Sequence, residues 1–292
     1  MQDFVIRKAK DDEPEVKQPP GSGVVPETHF RWICSGPSKS GKSNLCKYSL
    51  DHFYAGTNGK GSWFDEIYLL SPTAHIDFLW SNLKGLDAKN RISKPTPKHL
   101  EHILEKQIKS IAGSTSETAL KNVSSSTLAR RKENAKNILI IFDDAIAESQ
   151  LIRSSIFLKL FIQGRHYGIS SMVLTQSLML VPRSVRLQAT HLSLFPSRSS
   201  EVDRVYNEFG PRAMNRKEFA EMVEFATNPV PGDMYPFLHI SAFHPEKTRY
   251  RRNFTHTLSI NTKLDNPVLS PPVETKSKDT GNPRKRNIQE IL

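Results

Sequence analysis

Apolar residues along this chain fall into short runs, broken by glycine- and serine-rich turns or by stretches in which they recur every three to four positions. The runs read as strands: His29–Ser35, Glu66–Leu70, Asn137–Phe142, Ser171–Thr175, His191–Phe195 and Phe237–Phe243. Asn137–Phe142 is apolar without alternation, the pattern of a strand covered on both faces. The recurring stretches read as helices: about Lys42 to Phe53, then His99–Ile111 with Leu100, Ile103, Leu104, Ile108 and Ile111 on one side, then Gln150–Gln163, which Gly164 can stop. Strands alternating with helices predict an α/β domain whose mostly parallel central sheet is flanked by helices.

Composition narrows this picture. The 292 residues hold 37 % hydrophobics, below the usual figure of about 45–50 % for a globular chain. The deficit sits in three places. Residues 1–28 mix Lys/Arg with Asp/Glu around Pro14, Pro19, Pro20 and Pro26, and 263–292 are rich in Pro, Lys and Ser; both read as disordered tails around a body of 29–262. A polar insert, about 113–136, interrupts the body without dividing it. The tails' charges cancel, so the whole net charge of +11 belongs to the body. The longest apolar runs fall far short of the roughly 20 residues that cross a bilayer, so no membrane association is expected. Two cysteines, Cys34 and Cys46, suffice for neither a disulfide framework nor a four-ligand zinc site.

Candidate chemistry begins at Gly36-Pro37-Ser38-Lys39-Ser40-Gly41-Lys42-Ser43, a full G-x-x-x-x-G-K-S match between a predicted strand and a predicted helix. Its backbone N–H groups and the following helix N-terminus suit the phosphates of a nucleotide, with Asn44 next in line. Lys42 would reach the β/γ-phosphates and Ser43 would put its hydroxyl on Mg²⁺. About 100 residues on, Ile138–Phe142 runs into Asp143-Asp144. A carboxylate ending a buried strand can hold Mg²⁺ through water, a role for Asp143. Asp144 is placed to orient or deprotonate the attacking water, or else the pair caps a following helix. The strand Ser171–Leu174 leads into Thr175-Gln176, where Gln176 can sense the γ-phosphate or simply end the strand. Arg165, in Gly164-Arg165-His166-Tyr167-Gly168, suits an arginine finger reaching a neighbouring subunit, a surface ion pair or a DNA phosphate contact; Arg153, Arg183 and Arg186 lie near the same expected edge. No Asn-Lys-x-Asp stretch argues for guanine, so ATP is the expected nucleotide.

The order of these segments, phosphate loop, Glu66–Thr73 (EIYLLSPT), Leu139–Asp144 (LIIFDD) and Gly164–Gln176 (GRHYGISSMVLTQ), resembles the poxvirus-type genome packaging ATPases of the FtsK–HerA superfamily. The resemblance spans about residues 29–196. It implies an ASCE-type (RecA-like) P-loop NTPase fold, with the Walker A and Walker B strands separated by an added strand. It further implies a homo-oligomeric ring, DNA-driven ATP hydrolysis and the filling of a preformed capsid, with a capsid or portal protein as partner and a virus-infected cell, cytoplasmic factory or nucleus, as location. By position, Lys42 and Ser43 take nucleotide and metal, Asp143 the metal, Asp144 the catalytic carboxylate, Gln176 the sensor and Arg165 the finger. Cellular pumps usually carry Glu where Asp144 stands.

The basic clusters Arg130-Arg131-Lys132, Arg183 with Arg186, Arg212 with Arg216-Lys217, and Arg249-Tyr250-Arg251-Arg252 come with no helix-turn-helix, RNP or zinc-finger signature. They fit sequence-independent contact with double-stranded DNA through its phosphates, or a solvated basic face. Two other readings stay open at this stage. One is a P-loop nucleotide kinase with a lid near 120–136; the other is a non-motor DNA-binding protein switched by nucleotide.

Overall fold

The computed structural model describes residues 17–19, 23, 25–56, 61–112, 127, 131, 135–144, 149–259 and 268–269. Ten strands are found among them: β1 Arg31–Ser35, β2 Glu66–Leu70, β3 Arg91–Ile92, β4 Ile138–Asp143, β5 Ile169–Thr175, β6 His191–Leu194, β7 Leu238–Ser241, β8 Tyr250–Arg252, β9 His256–Ser259 and β10 Val268–Leu269. They form one sheet in the order β10-β9-β8-β7-β6-β1-β5-β4-β2-β3. From β6 to β3 every pairing is parallel, and from β6 to β10 every pairing is antiparallel.

The parallel half is buried on both faces, and its side chains alternate between two cores. Ile138, Ile140 and Phe142 of β4, with Ile33 of β1 and Val173 of β5, point into one. Leu139, Ile141, Trp32, Cys34, Met172 and Leu174 point into the other. The second core is covered by α1 (Lys42–His52) and α2 (Phe78–Ser81), which contribute Leu45, Cys46, Leu50 and Trp80. Onto the first pack α3 (Pro97–Ala112), α4 (Ser149–Ile152) and α5 (Ser155–Gln163). The spacing that predicted α3 is its buried stripe, and Pro97 opens the helix at the first position, where the missing N–H costs nothing.

The structure differs from expectation over Gln150–Gln163. Ser154 divides that stretch, because its Oγ caps α5 by accepting from Phe157 N–H at 3.3 Å. Gly164 does not stop the chain's winding, which continues through a 3₁₀ turn, Gly164–Tyr167, into β5. Beyond α6 (Arg183–Arg186) come two helices that the sequence reading left out, α7 (Ser199–Phe209) and α8 (Arg216–Thr227). Asn215 and Glu218 close α8 in a reciprocal capping box. The short α9 (Glu246–Arg249) leads into β8.

Contacts with the body start before residue 29. Val25 is buried, the Pro26 carbonyl accepts from Tyr54 Oη, and Gln18 hydrogen-bonds both the N–H and the carbonyl of Thr28. The expected insert at 113–136 and the C-terminal tail lie, for nearly all their length, outside the described residues. Among the described residues no helix is long and apolar enough to cross a membrane.

Candidate active site

The carboxyl ends of β1, β5 and β4 meet at one end of the sheet, with β5 between the other two. Loops leaving parallel strands at this end are where α/β sheets build sites. Gly36 follows β1 directly and donates its N–H to the Thr175 carbonyl at 3.1 Å, which joins the phosphate loop to the end of β5. The two motif glycines are needed for different reasons. A Cβ on Gly36 would lie 2.6 Å from Phe195 Cβ and 2.9 Å from Ser40 Oγ, so close packing excludes a side chain there. Gly41 has φ +102°, a conformation side chains rarely adopt, and a Cβ on it would lie 2.6 Å from Tyr235 Cγ.

Lys42 opens α1 and is buried, its Nζ donating to the carbonyls of Gly36 at 2.7 Å and Pro37 at 2.8 Å. Burial holds its ammonium below the usual lysine range, partly offset by the negative charges of Asp144 and Asp143. The lysine's loop and the aspartate pair meet at the end of β5, where Gly36 and Asp144 donate their N–H groups to the successive carbonyls of Thr175 and Leu174. Ser43 is half-buried beside Lys42, and Asn44 is exposed on the same turn. Pro37, Ser38 and Lys39 form the exposed tip of the loop, and Lys39 takes φ +64°. Ser40 Oγ is buried and finds no protein partner.

Asp143 ends β4 and is 6 % exposed. Burial pushes its carboxyl up to about 6, with the adjacent Asp144 charge acting the same way, while hydrogen bonds from Trp80 and Ser71 pull it back. Asp144 is exposed, donates its N–H to the Leu174 carbonyl at 3.3 Å and takes φ +48°. Left-handed backbone at a non-glycine residue costs about 1–3 kcal/mol and gathers at functional sites. Here Lys39 in the glycine loop and Asp144 in the aspartate pair both adopt it, as does Asn253 in the turn between β8 and β9.

These donors suit a nucleotide with Mg²⁺. Ser43 and Asp143 offer hard oxygen ligands, and a metal usually shared with substrate phosphates needs only one or two protein carboxylates. A divalent cation would offset the burial and the Asp144 charge that together raise Asp143, and the orphaned Ser40 hydroxyl lies in the loop that would wrap the phosphates.

Gln176 is exposed directly after β5, at this same end. Arg165 is not: it precedes β5, beside Arg31 and His29, at the opposite end of the sheet from the phosphate loop of its own chain. Arg153 and Arg183 are exposed, but Arg186 is buried and clamps Glu208 through Nε at 2.8 Å and Nη2 at 2.6 Å. Arg252 is likewise internal, held to the Phe225 and Asn228 carbonyls and to Asp233. Those two basic residues brace the fold and are not free to meet DNA phosphates.

Three side chains packed beside these residues escaped the sequence reading. Trp80 donates its indole N–H to Asp143 Oδ2 at 3.1 Å, and Ser71 Oγ lies 3.4 Å from the same oxygen. Glu201, in the first turn of α7, reaches Ser35 and Ser177. Ser71 lies in the segment Glu66–Thr73 already singled out; nothing local to Trp80 or Glu201 signals a role.

A family model described as the poxvirus A32 protein matches residues 26–270. No match was found among curated proteins. Among solved structures, the genome packaging NTPase B204 of Sulfolobus turreted icosahedral virus 2, in complex with ATP-gammaS, aligns at 13 % identity and TM-score 0.44 over 73 % of this chain and 92 % of its own. B204, the DNA-packaging ATPase of Sulfolobus turreted icosahedral virus, aligns at 14 % identity and TM-score 0.41 over 73 % and 93 %. EssC (ATPases 2 and 3) of Geobacillus thermodenitrificans aligns at 11 % identity and TM-score 0.44 over 86 % and 41 %.

Proposed function

The chain belongs to the poxvirus A32 protein family, the viral packaging ATPases its motifs resemble, and from that premise we propose that it hydrolyses ATP to drive double-stranded DNA into a preformed capsid in the infected cell. The observation that carries the reading is the placement of the glycine loop and the aspartate pair at the carboxyl ends of β1 and β4, each tied to the end of β5 between them, Gly36 N–H to the Thr175 carbonyl and Asp144 N–H to the Leu174 carbonyl.

In this reading the backbone of Gly36–Ser43 and the N-terminus of α1 cradle the phosphates. Lys42 exchanges the carbonyls of Gly36 and Pro37 for the β/γ-phosphate oxygens, where its charge counters the one that develops as the γ-phosphoryl leaves. Ser43 and Asp143 hold Mg²⁺, which when bound neutralises phosphate charge. Asp144, on the exposed side of the pair, orients the attacking water and draws off its proton. Gln176, exposed directly after β5, touches the γ-phosphate or that water. Arg165, remote from its own chain's phosphate loop, serves the site of a neighbouring copy in a ring. The exposed basic residues supply phosphate contacts that need no particular sequence.

The test is the ATPase rate of the full chain against duplex DNA concentration at two salt levels. We expect DNA to accelerate hydrolysis, higher salt to weaken that effect, and Lys42→Ala to abolish turnover. Hydrolysis indifferent to DNA, or a phosphorylated small acceptor among the products, overturns the motor reading.

A further inference from the structure

Glu201 is a buried carboxyl group, 7 % exposed, for which the nucleotide chemistry above has no use. Its Oε1 accepts from Ser35 Oγ at 3.0 Å and from the Leu178 backbone N–H, and its Oε2 accepts from Ser177 Oγ at 3.0 Å. Arg204 stands 3.8 Å from Oε2 at the solvent edge. A carboxyl group keeps such a place only where donors replace its lost hydration. The attraction of an acidic residue to a helix N-terminus accounts for Glu in this turn, but not for its turning inward to two other segments.

Those two segments flank the catalytic end of the sheet. Ser35 is the last residue of β1 and precedes Gly36, the first residue of the phosphate loop. Ser177 and Leu178 follow Gln176. On the other side of Gln176, Thr175 accepts from Gly36 N–H at 3.1 Å and donates its Oγ1 to the Ser177 carbonyl at 2.8 Å. Gln176 thus has both neighbours tied back to the start of the phosphate loop, one directly and one through Glu201, while its own side chain stays exposed.

We propose that Glu201 is a positioning residue: by holding Ser177 and Leu178 to Ser35 it fixes Gln176 relative to the phosphate loop, so that ATP cleavage depends on it and ATP binding does not. The inference rests on the ATPase reading above and adds to it the device that aligns the sensor.

The experiment uses the full chain with Mg²⁺, comparing steady-state ATP hydrolysis with equilibrium binding of a fluorescent ATP analogue, and recording thermal melting alongside. Misplacing a reacting group by about 1 Å costs on the order of a hundredfold in rate. Glu201→Ala is therefore expected to lower kcat about ten- to hundredfold, while the analogue's Kd stays within about threefold of wild type. Glu201→Gln keeps an oxygen for Ser35 and Leu178 and should recover most of that kcat. Ser177→Ala removes a single hydroxyl; it should lower kcat by a smaller factor, and its effect should vanish in the Glu201→Ala background. If Glu201→Ala does not fold, Ser177→Ala carries the test through the same split between kcat and Kd. The proposal is overturned if both variants turn over within about twofold of wild type, or if kcat, Kd and melting temperature decline together in Glu201→Ala and Glu201→Gln alike. A wild-type chain that binds the analogue without hydrolysing ATP overturns the ATPase reading and this inference with it, whereas the preceding outcomes sink the inference alone.

Discussion

The indole Nε1 of Trp80 donates to Oδ2 of Asp143 at 3.1 Å. Trp80 is fully buried in a four-residue helix after β2, while Asp143 ends β4 on the neighbouring strand. Asp77, which caps that helix by accepting from Leu79 N–H at 2.9 Å, fixes the turn from which the indole reaches across. Ser71 adds a second donor to the same oxygen at 3.4 Å. The carboxylate proposed to hold the metal is thus oriented from the side of the neighbouring strand, and the segment Glu66–Thr73 gains a physical reason to accompany the aspartate pair.

Trp80→Phe should keep the aromatic packing and remove the donor. A hydrogen bond to the charged form lowers a carboxyl pKa, so its loss moves Asp143 further above about 6. The acid limb of the pH–rate profile should therefore shift to higher pH, with turnover at pH 6 falling more than turnover at pH 8. An unshifted limb would mean that the indole does not act on Asp143.

Asp143 also sets a stability trend. Its carboxyl sits at about 6 in the fold against an ordinary 3.8, so the folded chain binds the proton more tightly than the unfolded chain does. The stability this gives is complete below about pH 4 and is lost as pH rises through about 6. Above that, the charged, metal-free carboxylate costs about 2–3 kcal/mol. Asp143→Asn should melt higher than wild type at pH 8 without metal and show little difference near pH 4. Mg²⁺ with nucleotide should stabilise wild type more than the variant, which keeps Lys42 and the glycine loop for the phosphates but lacks the carboxylate. A variant that melts lower at pH 8 would contradict the burial argument.

Much of the architecture is legible in the sequence because its cues are local. The run at β4 and the glycine loop before α1 need no tertiary information, and Glu66–Leu70 is a strand in pattern and in structure. The same locality misled over Gln150–Gln163, where the apolar spacing continues through a serine whose hydroxyl caps a new helix. It also hid α7 and α8: Val202 and Val205, then Phe219, Met222, Val223 and Ala226, form stripes too narrow to stand out among their charged neighbours, until a sheet is there to receive them. Trp80 and Glu201 were illegible for a different reason. Trp80 acts across 63 residues of sequence and Glu201 across 24 and 166, on partners that only strand order brings near.

Gly41 and Tyr235 form a steric pair at the phosphate loop. Gly41→Ala would push a methyl group into the base of the Tyr235 ring and would also force a side chain into φ +102°. The backbone share alone costs about 1–3 kcal/mol. The variant should melt lower and bind ATP more weakly. Because the Tyr235 Cβ itself would lie 2.7 Å from the new methyl group, Tyr235→Gly is the partner change that removes the clash and leaves the backbone strain, so the double variant should regain part of the lost stability. A coupling of about 1 kcal/mol in the double-mutant cycle supports the contact, and strictly additive losses refute it.

Arg186 and Arg165 should fail in opposite ways. Arg186 is 4 % exposed, pairs bidentately with Glu208, and donates Nη1 to the Val181 carbonyl at 2.6 Å. Removing one partner of a buried pair costs about 3–5 kcal/mol, so Arg186→Ala should melt well below wild type. Arg165 is exposed at the far end of the sheet, so Arg165→Ala should melt as wild type does. If Arg165 serves a neighbour's site, the variant loses hydrolysis while each chain keeps an intact phosphate loop. Lys42→Ala chains have the converse defect: a dead site and a working arginine. Mixing the two inactive proteins should then restore measurable ATPase activity, because Arg165 of one chain completes the site of the other. Mixtures as inactive as their parts would place the finger elsewhere, with Arg153 and Arg183 the exposed arginines to substitute next.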